Sequence, residues 1–221
     1  ELSLTAESDM TSPVHLWLNG IAQMGKDRDI VLIPMRNIGD ETRVGLGVKR
    51  FPADGIFVDR ELEPQQVRAA AKAPWIARVS AERPGVLVLK LDDSFNANGI
   101  FNAWKHGISP LHTTEATYGP LKLKKGEVST IVSEYIYFAG MTGLRAVAGS
   151  YGLDRDGDIV LVASYAPVPA GKITLNWQDS VGARGALGEF SLPALAPGQR
   201  AKIDLAGKIP ENTCTLSGKL A

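Results

Sequence analysis

Alternation of apolar and polar positions, broken at short intervals by turn residues, runs along most of this chain. The clearest case is residues 154 to 165, Asp-Arg-Asp-Gly-Asp-Ile-Val-Leu-Val-Ala-Ser-Tyr. An acidic turn built on Gly157 feeds an apolar run rich in β-branched residues. Ala166-Pro167-Val168-Pro169-Ala170-Gly171 then turns the chain, and Lys172-Ile173-Thr174-Leu175-Asn176-Trp177 alternates again. Strand, tight turn, strand is the pattern of antiparallel sheet.

The same pattern predicts strands elsewhere. Residues 29 to 35 form one, with Pro34 marking an edge or bulge. Residues 43 to 51 form another, with Val44, Leu46 and Val48 on one face. Residues 75 to 80 and 86 to 91 pair about Arg83-Pro84-Gly85. A long alternating strand lies within 122 to 138. Residues 144 to 151 and 158 to 165 make a hairpin across the acidic turn, and short strands at 190 to 195, 201 to 205 and 213 to 220 close the chain. Residues 1 to 29 fit two readings. Val14, Leu16 and Leu18 alternate like a strand, with His15 and Trp17 opposite, while the stretch through Ile21 and Met24 also fits a short helix. The best helix is 63 to 72, where Pro64 sits near the start, Gln, Arg and Ala are good helix formers, and Pro74 stops it. Residues 92 to 118 read as the longest irregular region, rich in Asn, Gly and Ser.

These elements predict an all-β fold: an antiparallel β-sandwich, with a jelly roll the favoured form and one or two short connecting helices. Helices are too few for an α/β fold. Residues 1–221 form a single domain, with 118 to 120 the place where it would divide into two small β-domains. The expected core holds Val31, Ile33, Val44, Leu46, Val86, Val88, Val132, Ile136, Val160, Val162, Ile173 and Leu175.

Composition narrows the function. The chain is 44% hydrophobic and 22% charged, ordinary for a protein with a real core. Its formal net charge is zero, which argues against a dedicated nucleic-acid surface and leaves only non-specific contacts. No apolar run reaches the roughly 20 residues that span a bilayer. The start at Glu1-Leu2-Ser3-Leu4 points to a chain cut from something longer, after a signal peptide, from a polyprotein or at an expression boundary. Cys214 is the single cysteine, so no internal disulfide forms, and a small core residue in the last strand is its plain reading.

No catalytic constellation emerges, so the chain is read as a non-enzyme without a cofactor. No serine lies in a Gly-x-Ser-x-Gly elbow. Gly45-Leu46-Gly47 lacks a third glycine and a following helix. Asp92-Asp93 and Glu61/Glu63 read as surface or turn acids. His106 and His112 flank Pro110 without zinc spacing, and His15 is remote. Lys122, Lys124 and Lys125 read as a solvated strand end. Calcium is the one ion to weigh: Asp154, Asp156 and Asp158 about Gly157 can converge oxygens on a hard cation. The glycine falls between the second and third acids, where a calcium loop needs it after the third, and Tyr165 stands where the loop needs Glu. An acidic hairpin turn is the preferred reading. Of Trp17, Trp75, Trp104 and Trp177, Trp104 is the one expected to stack on a sugar or a neighbouring subunit, with core anchoring the default for the others.

From 118 to 185 the order of parts is a long strand (127 to 138), a short one (144 to 148) and a final hairpin (158 to 165, 172 to 177). This resembles the second half of a viral jelly roll and is similar in rhythm to coat proteins of picorna-like plant viruses. The likeness covers about a third of the chain and rests on no signature motif; the few aromatics and high Ala/Gly content depart from that family. It implies a capsid subunit of a virion that associates with copies of itself or sister subunits. Phe95, Phe101 and Trp104, on the long loop, would be its interface anchors. The alternative is a secreted or periplasmic bacterial binding module: adhesin-like, pilus-assembly or carbohydrate-binding. Leu195-Ala196-Pro197-Gly198-Gln199 and the Gly/Ala-rich tail resemble the closing hairpins of such sandwiches.

Overall fold

The computed structural model describes residues 2–21, 30–34, 41–44, 47–50, 56–59, 66–70, 73–79, 84–92, 95, 99–105, 112–179, 181–210 and 213–220. All regular structure among them is strand or a brief turn, apart from a single 3₁₀ position at Phe95. No helix among the described residues is long and apolar enough to cross a membrane. The chain divides into two compact units, Glu1–Ile136 and Tyr137–Ala221.

The first unit runs β1 (Leu2–Thr5), β2 (Val14–Ile21), β3 (Ile30–Pro34), β4 (Glu41–Val44), β5 (Gly47–Arg50), β6 (Ile56–Asp59), β7 (Gln66–Ala70), β8 (Trp75–Val79), β9 (Gly85–Leu91), β10 (Ile100–Lys105), β11 (His112–Leu121) and β12 (Val128–Ile131), and the unit boundary falls inside β13 (Ser133–Ala139). β2-β11-β10-β7-β4-β5 form a six-stranded sheet and β13-β9-β8-β3-β6 a five-stranded one, while β1 pairs with β12. Every recorded pairing is antiparallel. The core lies between the two large sheets. Val31, Ile33, Ile76, Leu89 and Leu91 meet Phe101, Ala103 and Ala116, with Leu16, Leu18 and Tyr118 packed at the side.

β8 is buried at all five positions, and one of them is Arg78. Its guanidinium crosses the sandwich: Nε donates to Thr114 Oγ1 at 2.7 Å and an Nη donates to the Thr113 carbonyl. A buried charge is tolerated only when hydrogen-bonded, so these bonds hold β8 against β11.

The second unit runs β14 (Ala146–Ala148), β15 (Tyr151–Asp156), β16 (Ile159–Ser164), β17 (Gly171–Asp179), β18 (Arg184–Leu192), β19 (Arg200–Asp204) and β20 (Thr213–Leu220). It pairs β14-β15-β16-β19 and β18-β17-β20. Val160, Val162, Ala201 and Ile203 from the first sheet pack on Ile173, Leu175 and Leu192 from the second. The acidic turn is a two-residue hairpin between β15 and β16: Asp156 faces Ile159, and Gly157 supplies a φ of 57° that a side chain resists.

The all-β antiparallel sandwich stands, and its strand orders do not by themselves show a jelly roll. Several expected elements differ. The helix at 63 to 72 is overturned where it is described: Gln66–Ala70 is strand β7, paired with β10 and β4, so sheet hydrogen bonding overrides the helix preference of Gln, Arg and Ala. The strand expected at 43 to 51 is the hairpin β4–β5, with Val44 opposite Gly47. The irregular region at 92 to 118 supplies β10 and β11, two central strands of the six-stranded sheet. Residues 118 to 120 lie inside β11, where Tyr118 pairs with Leu16 and stacks 6.2 Å from Phe95, and the units divide later, between 136 and 137.

Of the expected core, Val31, Ile33, Val86, Val88, Ile136, Val160, Val162, Ile173 and Leu175 are buried. Val132 is 43% exposed. Asp92 explains it: its N–H donates to the Val132 carbonyl at 3.1 Å, and its Oδ2 accepts from the Val132 N–H at 3.0 Å. This clamp interrupts the strand between β12 and β13 and shifts the alternation by one. Side-chain burial at Val44, and Leu46 altogether, lie outside the described residues.

Two substitutions test the packing. Thr114→Val keeps the shape of the side chain and strands the Arg78 Nε donor, so it should cost about 1–3 kcal/mol in a denaturant melt. In the second unit, a Cβ at Gly152 would lie 2.8–3.0 Å from the Phe138 ring. Gly152→Ala should therefore cost about 1–3 kcal/mol through forced displacement of that ring, and an unchanged midpoint would contradict the packing described.

Candidate functional site

The six-stranded sheet has one face on the core and one face away from it. Phe101, Ala103, Ala116, Leu16 and Leu18 belong to the core face. Alternation assigns Trp17, Asn102, Thr113, Glu115 and Thr117 to the other. The register agrees: Trp17 pairs with Thr117, Asn19 with Glu115, and Glu115 with Asn102.

On this second face the polar side chains form a connected group. Glu115 Oε2 accepts from Trp17 Nε1 at 3.1 Å and from Asn102 Nδ2 at 2.6 Å. Trp17 and Glu115 are diagonal neighbours across β2 and β11, within reach of long side chains. Glu115 is 5% exposed and Asn102 8%, whereas Trp17 is 61% exposed. A buried carboxylate thus anchors the edge of an indole whose face stays in solvent. The carboxylate accepts only, so it fixes the amide of Asn102 with Nδ2 toward Glu115 and Oδ1 turned away. Asn102 Oδ1 has no hydrogen-bond partner, and neither does Thr113 Oγ1. Both are buried polar atoms, which folded proteins seldom leave unpaired. They lie in adjacent transverse rows, Asn102 opposite Glu115 and Thr113 opposite Trp104.

The expected site residues fall elsewhere. Phe95 and Phe101 are fully buried, with ring centroids 4.7 Å apart, so they are core residues and not exposed loop anchors. Trp104 is not on a loop; it lies in β10 opposite Thr113 and Gln66. The core default holds for Trp75 and fails for Trp17. Among the described residues no three His, Cys, Asp or Glu side chains are arranged to hold a metal ion, so Asp154, Asp156 and Asp158 are not brought together. Asp154 is buried, while Asp156 and Asp158 are exposed. The Asp154 carboxylate sits where a Cβ at Gly143 would lie, 2.6 Å from Oδ2, with Arg145 Nε at 4.0 Å.

Lys124 and Lys125 belong to a turn in which Glu127 and Asp9 accept their backbone N–H groups, so acids interleave with the basic cluster. Asp92 is engaged by Val132. Cys214 lies in β20, and His106, Glu61, Glu63, Asp93, Gly45 and Leu46 lie outside the described residues. Trp17, Asn102, Thr113 and Glu115 were not singled out from sequence as one site. The available signal was the alternation of Leu16 and Leu18 against Trp17, together with the β-branched run Thr113-Thr114.

Comparison with protein-family models, with curated proteins and with solved structures finds no match.

Asp154 yields a pH test. Burial pushes its carboxyl above the ordinary range, against the opposing pull of the Arg155 backbone N–H and the Arg145 charge. A raised folded value means that its contribution to stability is fully present below the unfolded value and lost as pH rises through the folded one. Asp154→Asn should therefore gain stability relative to wild type as pH rises from about 3 to about 7. A difference in melting temperature that stays constant or shrinks over that range would contradict the burial.

Proposed function

We propose that this chain is a β-sandwich carbohydrate-binding module that works by recognition and not by chemistry. The observation that carries the reading is the Trp17 indole, largely exposed and held by its Nε1–H on the buried Glu115 carboxylate. A large apolar ring exposed to water is unfavourable in isolation, and a fixed one is a preorganised platform for the apolar face of a sugar. Glu115 and Asn102 are buried, so their part is to hold the ring, and the exposed indole is what a sugar meets. Such a module works where polysaccharide is found, in a secreted or periplasmic setting. Assembly into a capsid loses its proposed anchors with Phe95 and Phe101 in the core.

Affinity electrophoresis through gels containing soluble polysaccharides tests the reading. The wild-type protein should be retarded by at least one of them. Trp17→Ala should weaken that binding by about tenfold or more, equivalent to about 1.4 kcal/mol. Trp17→Phe, which keeps a ring but loses the N–H, should fall between. No retardation by any polysaccharide, or equal retardation of the Ala variant, would overturn the proposal.

A further inference from the structure

Trp17 stands at the head of a transverse row. Thr117 of β11 pairs with it, and Ile100 of β10 pairs with Thr117. Alternation against Phe101 and Ala103 on β10, and against Ala116 on β11, puts Ile100 and Thr117 on the outer face with Trp17. Both are partly exposed. Two strand spacings give the row a length of about 10 Å. A branched apolar side chain at Ile100 is unlike the polar residues that a solvated sheet face normally carries. Along β2, His15 is exposed on the same face, two positions before Trp17. A Cβ at Gly119 would lie 3.1 Å from His15 Nδ1 and 2.9 Å from the Val14 carbonyl oxygen, so the glycine leaves room for the imidazole beside the row. Among the described side chains of this face on β2, β11 and β10, Glu115 is the only Asp, Glu, Lys or Arg, and it is buried.

We infer that the ligand is an uncharged polysaccharide whose hydroxyls are equatorial, as in a β-linked glucan, and that it lies across the strands along Trp17, Thr117 and Ile100. Resting on the carbohydrate-binding reading, the row adds the class and direction of the ligand. A pyranose with equatorial hydroxyls presents only C–H groups on its two faces and carries its polar groups around the rim. Its face suits the indole and the Ile100 side chain, because apolar surface is buried on both partners. Its rim meets the Thr117 hydroxyl and the His15 imidazole, which carry donors and acceptors. Axial hydroxyls would set polar groups against an indole and a branched alkyl chain, where they lose water without gaining a partner. A charged glycan finds no exposed Lys or Arg on the described part of the face, and an acidic one also meets the Glu115 carboxylate at the indole edge.

Binding is measured by titration calorimetry with hydroxyethylcellulose, glycogen and polygalacturonate, across a range of salt. Wild-type protein should bind hydroxyethylcellulose at least about tenfold more tightly than either of the others. That binding should change little as salt rises, because no ion pair is screened. Ile100→Asp should weaken it by about tenfold, and His15→Ala by about threefold. Ile100→Thr, which keeps a β-branched side chain for the strand, should weaken it by about threefold and serves if the Asp variant does not fold. Salt-sensitive preference for polygalacturonate, or preference for glycogen, would overturn the inference and leave the carbohydrate-binding reading standing. So would loss of hydroxyethylcellulose binding in Trp17→Ala with no weakening in the Ile100 variants, because the ligand would then not follow the row. No binding to any glycan, with Trp17→Ala turning a dimer into a monomer in light scattering, would remove both and assign the face to a second copy of the chain.

Discussion

A guanidinium buried between two sheets is the constraint on which the first unit depends. Arg78 is 2% exposed on the central strand β8. Desolvating a charge costs several kcal/mol unless hydrogen bonds replace its water. The replacements come from the Thr114 hydroxyl and the Thr113 carbonyl of β11, in the opposite sheet. An apolar residue at this position would tolerate sliding of one sheet over the other. A guanidinium with fixed acceptors does not, because each shift leaves a buried donor unpaired. The candidate site inherits this order. Glu115 follows the two threonines directly, and Asn102 pairs with it across the strand.

Burial of polar groups on the far face of the same sheet completes the arrangement. Glu115 is satisfied by donors from Trp17 and Asn102, which leaves the indole face free and the Asn102 carbonyl oxygen unpaired. A sheet built only for stability would place a Thr–Thr or an apolar pair at these positions. The buried carboxylate stabilises one orientation of a mostly exposed ring, the arrangement on which the proposed recognition of a sugar rests.

Legibility in the sequence followed the contrast between the two faces of each strand. β3, β9, β16 and β17 were readable because branched apolar residues recur along them and turns bound them closely. β10 and β11 were not, because Asn102, Thr113, Thr114 and Glu115 are buried polar residues that imitate a solvated loop. The helix formers of Gln66–Ala70 pointed the wrong way because pairing on both edges outweighs intrinsic preference. Val132 had the right period and the wrong phase, since the Asp92 clamp acts from 40 residues away in the chain. The site was half legible: alternation already set Trp17 opposite Leu16 and Leu18. Its hydrogen bond to a residue 98 positions away is a product of sheet register alone.

In the proposed module, ligand lands on the Trp17 face. The chain has four tryptophans, and each contributes one indole N–H resonance to a heteronuclear NMR spectrum. On titration with an oligosaccharide from a polysaccharide that retards the protein, the Trp17 signal should move in a saturable manner while that of the buried Trp75 stays fixed. A Trp17 signal that does not move, while the protein demonstrably binds the same oligosaccharide, would place the ligand elsewhere on the molecule.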